Sequence, residues 1–345
     1  MRKGRVSEIR PLPVIGLLGA GRMGRGIAHA FAYAGHEVRL IDVKRRAKVD
    51  AERIGREALA EVRASLAALA QVKAFPARAV PAIMKRVRFV ARDPAPEALA
   101  KADVLFEGVP EVMDIKREAL ALACAHLRPD ALITSTTSTF LVDDMAKLVT
   151  RPERFLNAHW LNPAYLIPLV EVCPHAGTDS ALVRRFTGLL ENIGKVPVLC
   201  RPAPGYIVPR FQVLVMNEAA RMVQSGIATP EDIDRAVRYG FGFRYANMGV
   251  VEFIDYGGVD ILHYAANYLA DNLDERYRPP EIIDRYMREG RRGLREGKGF
   301  FDWSRIDVPA YRKQALAKMV KMLRYAELLR LPGSAKGRRG RRGRG

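Results

Sequence analysis

Val14-Ile-Gly-Leu-Leu-Gly-Ala-Gly-Arg-Met-Gly24, a helical stretch to Ala34, and then Val38-Arg-Leu-Ile-Asp42 decide the fold. A short apolar strand runs into a Gly-x-Gly-x-x-Gly turn, a helix follows, and an acid closes the next strand. Each glycine has a separate task. Gly19 makes the tight turn, Gly21 lets a pyrophosphate approach the backbone, and Gly24 lets the helix pack on the strand. The loop residues Ala20, Arg22 and Met23 carry the first free N–H groups of the helix, whose positive end suits an anion. Asp42, 23 residues beyond Gly19, would accept hydrogen bonds from the adenosine ribose and repel a 2′-phosphate. This reads as an NAD site in preference to NADP, although Lys44-Arg45-Arg46 just beyond Asp42 weakens the exclusion.

Outward from this unit, strands alternate with helices. Apolar segments at 87–90, 104–106 and 132–134, and near Phe155 and Leu169, predict an α/β Rossmann-type, doubly wound parallel sheet over residues 11–200. The Ala/Arg/Glu-rich stretch 44–73 has helical periodicity and opens an insert reaching about residue 86. After Pro204-Gly205 strand signals vanish. Helical patterns at about 207–225, from Thr229, at 250–271 and at 309–330 predict an all-α domain over 201–330.

The chain of 345 residues carries a formal net charge of +19. Part of it lies in the tail Lys336-Gly-Arg-Arg-Gly-Arg-Arg-Gly-Arg-Gly345, within 331–345, which has nothing to bury and is expected to be disordered. Such a tail is either solvated without consequence or a foothold on acidic surfaces; nucleic acid is not the partner expected for the chain as a whole. No apolar run reaches membrane-span length and no secretory leader is legible at the N-terminus, so no membrane partner is expected. Cys124, Cys173 and Cys200 are far apart, which fits free thiols in the cytoplasm and neither a metal site nor a disulfide framework.

Taking a hydride from an alcohol needs a base for the hydroxyl proton, and histidine is suited to it near neutral pH. Of six histidines, His29, His36, His126, His175 and His263 have bland positions. His159 ends a strand in Asn157-Ala-His-Trp-Leu-Asn-Pro163, where open α/β sheets place ligands. Glu171 follows twelve residues later on the apolar segment Leu169-Val-Glu-Val172, and a carboxylate there needs a partner such as a histidine. Taken one at a time, a core histidine and a structural ion pair are the alternatives.

At these residues the sequence resembles the 3-hydroxyacyl-CoA dehydrogenase family over about residues 13–303. The resemblance implies that the His159–Glu171 pair is the catalytic base and its orienter. It implies that Ser138, in Ser135-Thr-Thr-Ser138 and 21 residues before His159, binds the substrate oxygen. It also makes Glu111, Lys116, Ser138 and Asn162 cofactor contacts, the 44–86 insert a helical hairpin beside the substrate, and Gly297-Lys-Gly-Phe-Phe301 a closing signature. It implies a homodimer and a small-molecule substrate, an acyl-CoA or a hydroxy acid.

Two departures leave that substrate open. Where the family has asparagine in Gly-Phe-x-x-Asn-Arg, this chain reads Gly205-Tyr-Ile-Val-Pro209-Arg210, and proline brings no side-chain donor. Asn217 is a candidate replacement. Gly240-Phe-Gly-Phe-Arg-Tyr-Ala246 resembles the gulonate dehydrogenase and lambda-crystallin branch, in which Arg244 would clamp a free carboxylate. Arg244 in a surface salt bridge is the other reading, and a catalytically weak NAD-binding structural protein is a third possibility for the whole chain.

Overall fold

A computed structural model describes residues 12–329; the basic tail lies outside them. By internal contacts the chain divides into two units, the first ending at Val215 and the second beginning at Met216. The first holds one eight-stranded sheet: β1 (Ile15–Leu18), β2 (Val38–Ile41), β3 (Val87–Val90), β4 (Val104–Glu107), β5 (Leu132–Ser135), β6 (Phe155–Trp160), β7 (Leu169–Pro174) and β8 (Val196–Leu199). Their spatial order is β3-β2-β1-β4-β5-β6-β7-β8. The order reverses between β1 and β4, which creates a crevice at the strand ends where open α/β sheets take their ligands.

The sheet is not wholly parallel, contrary to expectation: β7 runs antiparallel to β6. Only eight residues, 161–168, connect the two strands, too few for a crossover helix, so the chain has to fold straight back. The strand β8 escaped the sequence reading because Val196-Pro197-Val198-Leu199 carries a proline. Proline is tolerated at a sheet edge, and β8 is an edge strand.

Apolar side chains cover both sheet faces. On one, Leu17, Leu40, Phe106, Leu156 and Trp160 meet the helix Arg22–Tyr33, the long helix Lys48–Gln71 and the helix Ser180–Asn192. On the other, Leu105, Ile133, Phe155 and Cys173 meet the helices Ala95–Leu99, Met113–His126 and Val142–Ala146. The insert differs from a hairpin of two long helices. The outgoing limb is Lys48–Gln71, whereas the return consists of a 3₁₀ turn, Ala77–Ala79, and the five-residue helix Val80–Met84. Pro76 precedes the 3₁₀ turn and Pro81 lies in the first turn of Val80–Met84, where a missing amide proton is tolerated.

The second unit is helical. The stretch expected as one helix over 250–271 is two, Val250–Gly257 and Val259–Asn272, because Gly258 sits at φ 113° between them. The helix Pro230–Ala236 starts as predicted, with the Thr229 hydroxyl accepting from the Asp232 amide. Buried Asp255 accepts from the Phe300 and Phe301 amides and the Trp303 indole at 2.8–2.9 Å. A Cβ at Gly299 would lie 2.2 Å from Asp255 Oδ1, which explains the glycine of Gly297-Lys-Gly-Phe-Phe301. The contact boundary after Val215 lies beyond the expected 200/201. The intervening chain is tied into the sheet unit by the Ile207 and Val208 amides, which donate to Glu171 on β7.

Candidate active site

The glycine loop has the shape a dinucleotide requires. Gly19 is at φ 98°, a Cβ at Gly24 would come within 2.2 Å of the Gly19 carbonyl oxygen, and a Cβ at Gly21 would meet nothing within 4 Å. The helix Arg22–Tyr33 has no side-chain cap, so its first amides are left for a ligand. A cleft of about 360 Å³ is lined by Gly19, Ala20, Gly21, Asp42, Gly108 and Val109, at the β1/β4 reversal. These residues fit a pyrophosphate and an adenosine ribose. The Met23 side chain packs on the core and Gly24 is buried, so each can serve a ligand only through its backbone. Buried Asp42 receives the Arg46 guanidinium on Oδ2 at 2.5 Å and the Lys44 amide on Oδ1 at 3.2 Å.

Strand periodicity explains the second cluster. Phe155, Asn157 and His159 project from one face of β6, while Leu156, Ala158 and Trp160 project from the other. Antiparallel pairing sets His159 directly opposite Glu171. His159 Nδ1 lies 2.7 Å from Glu171 Oε2, and His159 Nε2 lies 3.0 Å from Ser138 Oγ. The ionised carboxylate can only accept, so the proton between them sits on Nδ1, and in the neutral imidazole Nε2 keeps its lone pair. His159 and Glu171 are buried, while Ser138 is exposed, so the row of groups opens to solvent at its serine end.

Glu171 is fully buried and needs several donors. Its Oε1 accepts from the amides of Ile207 and Val208, both at 2.8 Å. Burial alone would raise its pKa. The bonds from His159, Val208 and Ile207 outweigh burial and hold the carboxyl below its ordinary range. Gly205 and Tyr206 both have positive φ, 77° and 44°, and this turn precedes the two amides. A left-handed tyrosine costs on the order of 1–2 kcal/mol. Its packing offsets that: the ring stacks on the His159 imidazole at 4.9 Å, and its hydroxyl donates to the Thr137 carbonyl and accepts from Asn157 Nδ2. Sequence reasoning missed Tyr206; a tyrosine after a glycine carries no signal of its own.

Glu111 and Lys116, read as cofactor contacts, form a network with Glu107 under the Ser138 loop. Glu111 Oε1 accepts from the amides of Ser138 and Thr139, both at 3.1 Å, and from the hydroxyls of Thr137 and Thr139. Burial raises the Glu111 pKa, and the bonds from Thr137, Lys116 and Thr139 overcome it, so the carboxyl is held low. Lys116 is only 1 % exposed. It donates at 3.0 Å to both oxygens of buried Glu107 and pairs with Glu111 Oε2 at 3.0 Å. Its three protons are thus committed, so Lys116 holds Glu111 and is not free to touch a ligand itself. Glu107, another residue the sequence reading missed, also accepts from Ser135 Oγ and the Val109 amide.

Other candidates lie elsewhere. Asn162, in the loop after β6, lines a cleft of about 360 Å³ with Arg22, Arg25 and Ser65, between the glycine-loop helix and the insert; Arg25 also lines the glycine-loop cleft, so the two adjoin. Pro209 occupies the first turn of the helix Val208–Gln224, where proline fits and offers no donor. Asn217 is eight residues on, about 12 Å along a helix rising 1.5 Å per residue, too far to stand in for a side chain at 209. Arg244, in the second unit, forms no ion pair among the described residues; its guanidinium lies 4.5 Å from the Phe253 ring centroid. Among the described residues no His/Cys/Asp/Glu group could hold a metal ion, and no helix is long and apolar enough to cross a membrane.

Comparison with known proteins gives the family. The family described as "3-hydroxyacyl-CoA dehydrogenase, NAD binding domain" matches residues 14–203, and its "C-terminal domain" matches 205–303. A 3-hydroxybutyryl-CoA dehydrogenase of Bradyrhizobium diazoefficiens is 31 % identical over 290 residues, covering 84 % of this chain and 94 % of the relative. A 5-formyl-3-hydroxy-2-methylpyridine 4-carboxylate 5-dehydrogenase of Mesorhizobium japonicum is 29 % identical, covering 91 % of this chain and 98 % of the relative. The crystal structure of a 3-hydroxyacyl-CoA dehydrogenase from Archaeoglobus fulgidus aligns with a TM-score of 0.71 at 31 % identity, over 92 % of this chain and all of that one (100 %). The chain belongs to the 3-hydroxyacyl-CoA dehydrogenase family and is an NAD-dependent oxidoreductase acting on the CH–OH group of a small-molecule substrate.

Proposed function

We propose that the chain interconverts a short-chain L-3-hydroxyacyl-CoA and its 3-ketoacyl-CoA, with His159 as base, Glu171 as its orienter and Ser138 as the group that holds the reacting oxygen. One observation carries the reading: the continuous row from Ser138 Oγ through the imidazole to Glu171. In oxidation the substrate hydroxyl gives its proton to His159 Nε2. Glu171 then faces an imidazolium at Nδ1 and stabilises it. Ser138 donates to the oxygen as it becomes a carbonyl. Bound NAD would supply the acceptor for the hydride from the adjacent carbon. In the cofactor cleft, Gly19 to Gly24 would hold the pyrophosphate and Asp42 the ribose, while Glu111 fixes the serine loop.

The test is His159→Asn. Turnover of acetoacetyl-CoA should fall by roughly a hundredfold or more, with NADH affinity unchanged. Turnover within a few-fold of wild type would remove His159 from the role.

A second reading, a small free 3-hydroxy carboxylate, is favoured by Pro209 and by an Arg244 that has no acidic partner among the described residues. The Mesorhizobium relative bears the name of a carboxylate dehydrogenase. Rates on acetoacetyl-CoA against acetoacetate and gulonate separate the two. A homodimer is part of the proposal, supported by exposed Phe211, Leu214 and Met216 on one helix; sedimentation tests it. A cytoplasmic location is supported by three free cysteines.

A further inference from the structure

We propose that a basic basin beside Asp42 is a phosphate-monoester site, and that the protein therefore takes the 2′-phosphorylated dinucleotide, NADP, as well as NAD. The basin has a volume of about 730 Å³ and shares Asp42, Lys44 and Arg46 with the glycine-loop cleft. It therefore begins where the ribose of a bound dinucleotide ends.

Its charge suits a phosphate. Lys44, Arg45, Arg46, Lys48 and Arg92 line it, against three acids, Asp42, Glu52 and Asp93. Asp42 is the group that would expel a 2′-phosphate. Here Arg46 Nε neutralises one of its oxygens at 2.5 Å and the Lys44 amide occupies the other at 3.2 Å. Among the described residues Lys44, Arg45 and Lys48 form no ion pair, so their charge is uncommitted. The Arg92 guanidinium is anchored on the Val43 carbonyl. The 24-residue helix Lys48–Gln71 starts at the basin wall behind Ala47, which has no side chain to cap it. A 2′-phosphate carries about −1.5 to −2 charges at neutral pH and accepts several hydrogen bonds, which guanidinium groups supply in pairs.

The 3′-phosphate of coenzyme A has the same chemistry. The wall shared with the glycine loop assigns the basin to the dinucleotide, and the experiment separates the two sources. The full-length protein is titrated with NADH and NADPH, followed by nucleotide fluorescence, and with 2′,5′-ADP and 3′,5′-ADP by calorimetry. No turnover is involved, so the outcome is independent of the substrate reading above.

The wild type is expected to bind NADPH within about tenfold of NADH, and 2′,5′-ADP more tightly than 3′,5′-ADP. The double variant Arg45→Glu, Lys48→Glu is expected to weaken NADPH by about tenfold or more and to shift NADH less than threefold. Retained NADH binding shows that the variant is folded. NADPH more than tenfold weaker than NADH in the wild type overturns the proposal. So does a double variant that affects both nucleotides alike, or a preference for 3′,5′-ADP.

Discussion

Replacing Glu171 with glutamine changes one atom type and separates orientation from packing. Oε1 is fixed by the Ile207 and Val208 amides at 2.8 Å. The single carboxamide oxygen must face those two donors, which turns the NH₂ toward His159 Nδ1. Nδ1 then has to accept, the ring proton moves to Nε2, and the lone pair that should take the substrate proton is gone. Flipping the amide restores the tautomer but leaves the two amides unpaired, at about 1–3 kcal/mol each. The flipped oxygen still accepts from the imidazolium, but without the carboxylate's charge to stabilise it. The lower end of the flip penalty alone, about 2 kcal/mol for the two amides, lowers kcat roughly 30-fold. The assay is reduction of acetoacetyl-CoA followed by NADH absorbance, with NADH affinity and the urea midpoint measured alongside. A kcat within tenfold of wild type would refute the tautomer argument even if His159 remained essential.

Lys116→Met should destabilise the fold by about 3–5 kcal/mol, because it strands buried Glu107 without its cation; an unchanged denaturant midpoint would contradict this. Burial first, and Lys195 second, lower the His29 pKa to about 4. A depressed folded value means that stability present above pH 6.5 is lost as pH falls toward 4. Urea unfolding should give about 2 kcal/mol less stability at pH 5 than at pH 7, and His29→Gln should abolish that difference. Pro209→Asn should raise kcat on acetoacetyl-CoA about tenfold or more if the missing donor limits the reaction, since one such group is commonly worth over a hundredfold; no gain would favour the free-acid substrate.

What was legible in the sequence was what residue type and spacing encode. The glycine loop announces a phosphate cradle because at Gly19 and Gly24 no other residue fits. His159 and Glu171 announce each other because two strands in register convert a fixed interval into a cross-strand pair. Other features left no such trace. The donors that hold Glu171 are backbone amides, which every residue but proline possesses. Glu107 and Lys116 are nine residues apart, and nothing but the fold says that both are buried. Pro197 hid β8, and the reversal of β7 follows from the length of a loop and not from any motif.

The turn at Gly205 and Tyr206 has an engineering consequence. The family border falls between residues 203 and 205, whereas Tyr206, Ile207 and Val208 complete the surroundings of His159 and Glu171. The border of ancestry is thus not the border of the machine. A chimera joined at the ancestral seam would graft a foreign tripeptide against the imidazole, and its turnover would report that graft before any trait of the donor's helices. Joined after Val215, the relay would be inherited whole.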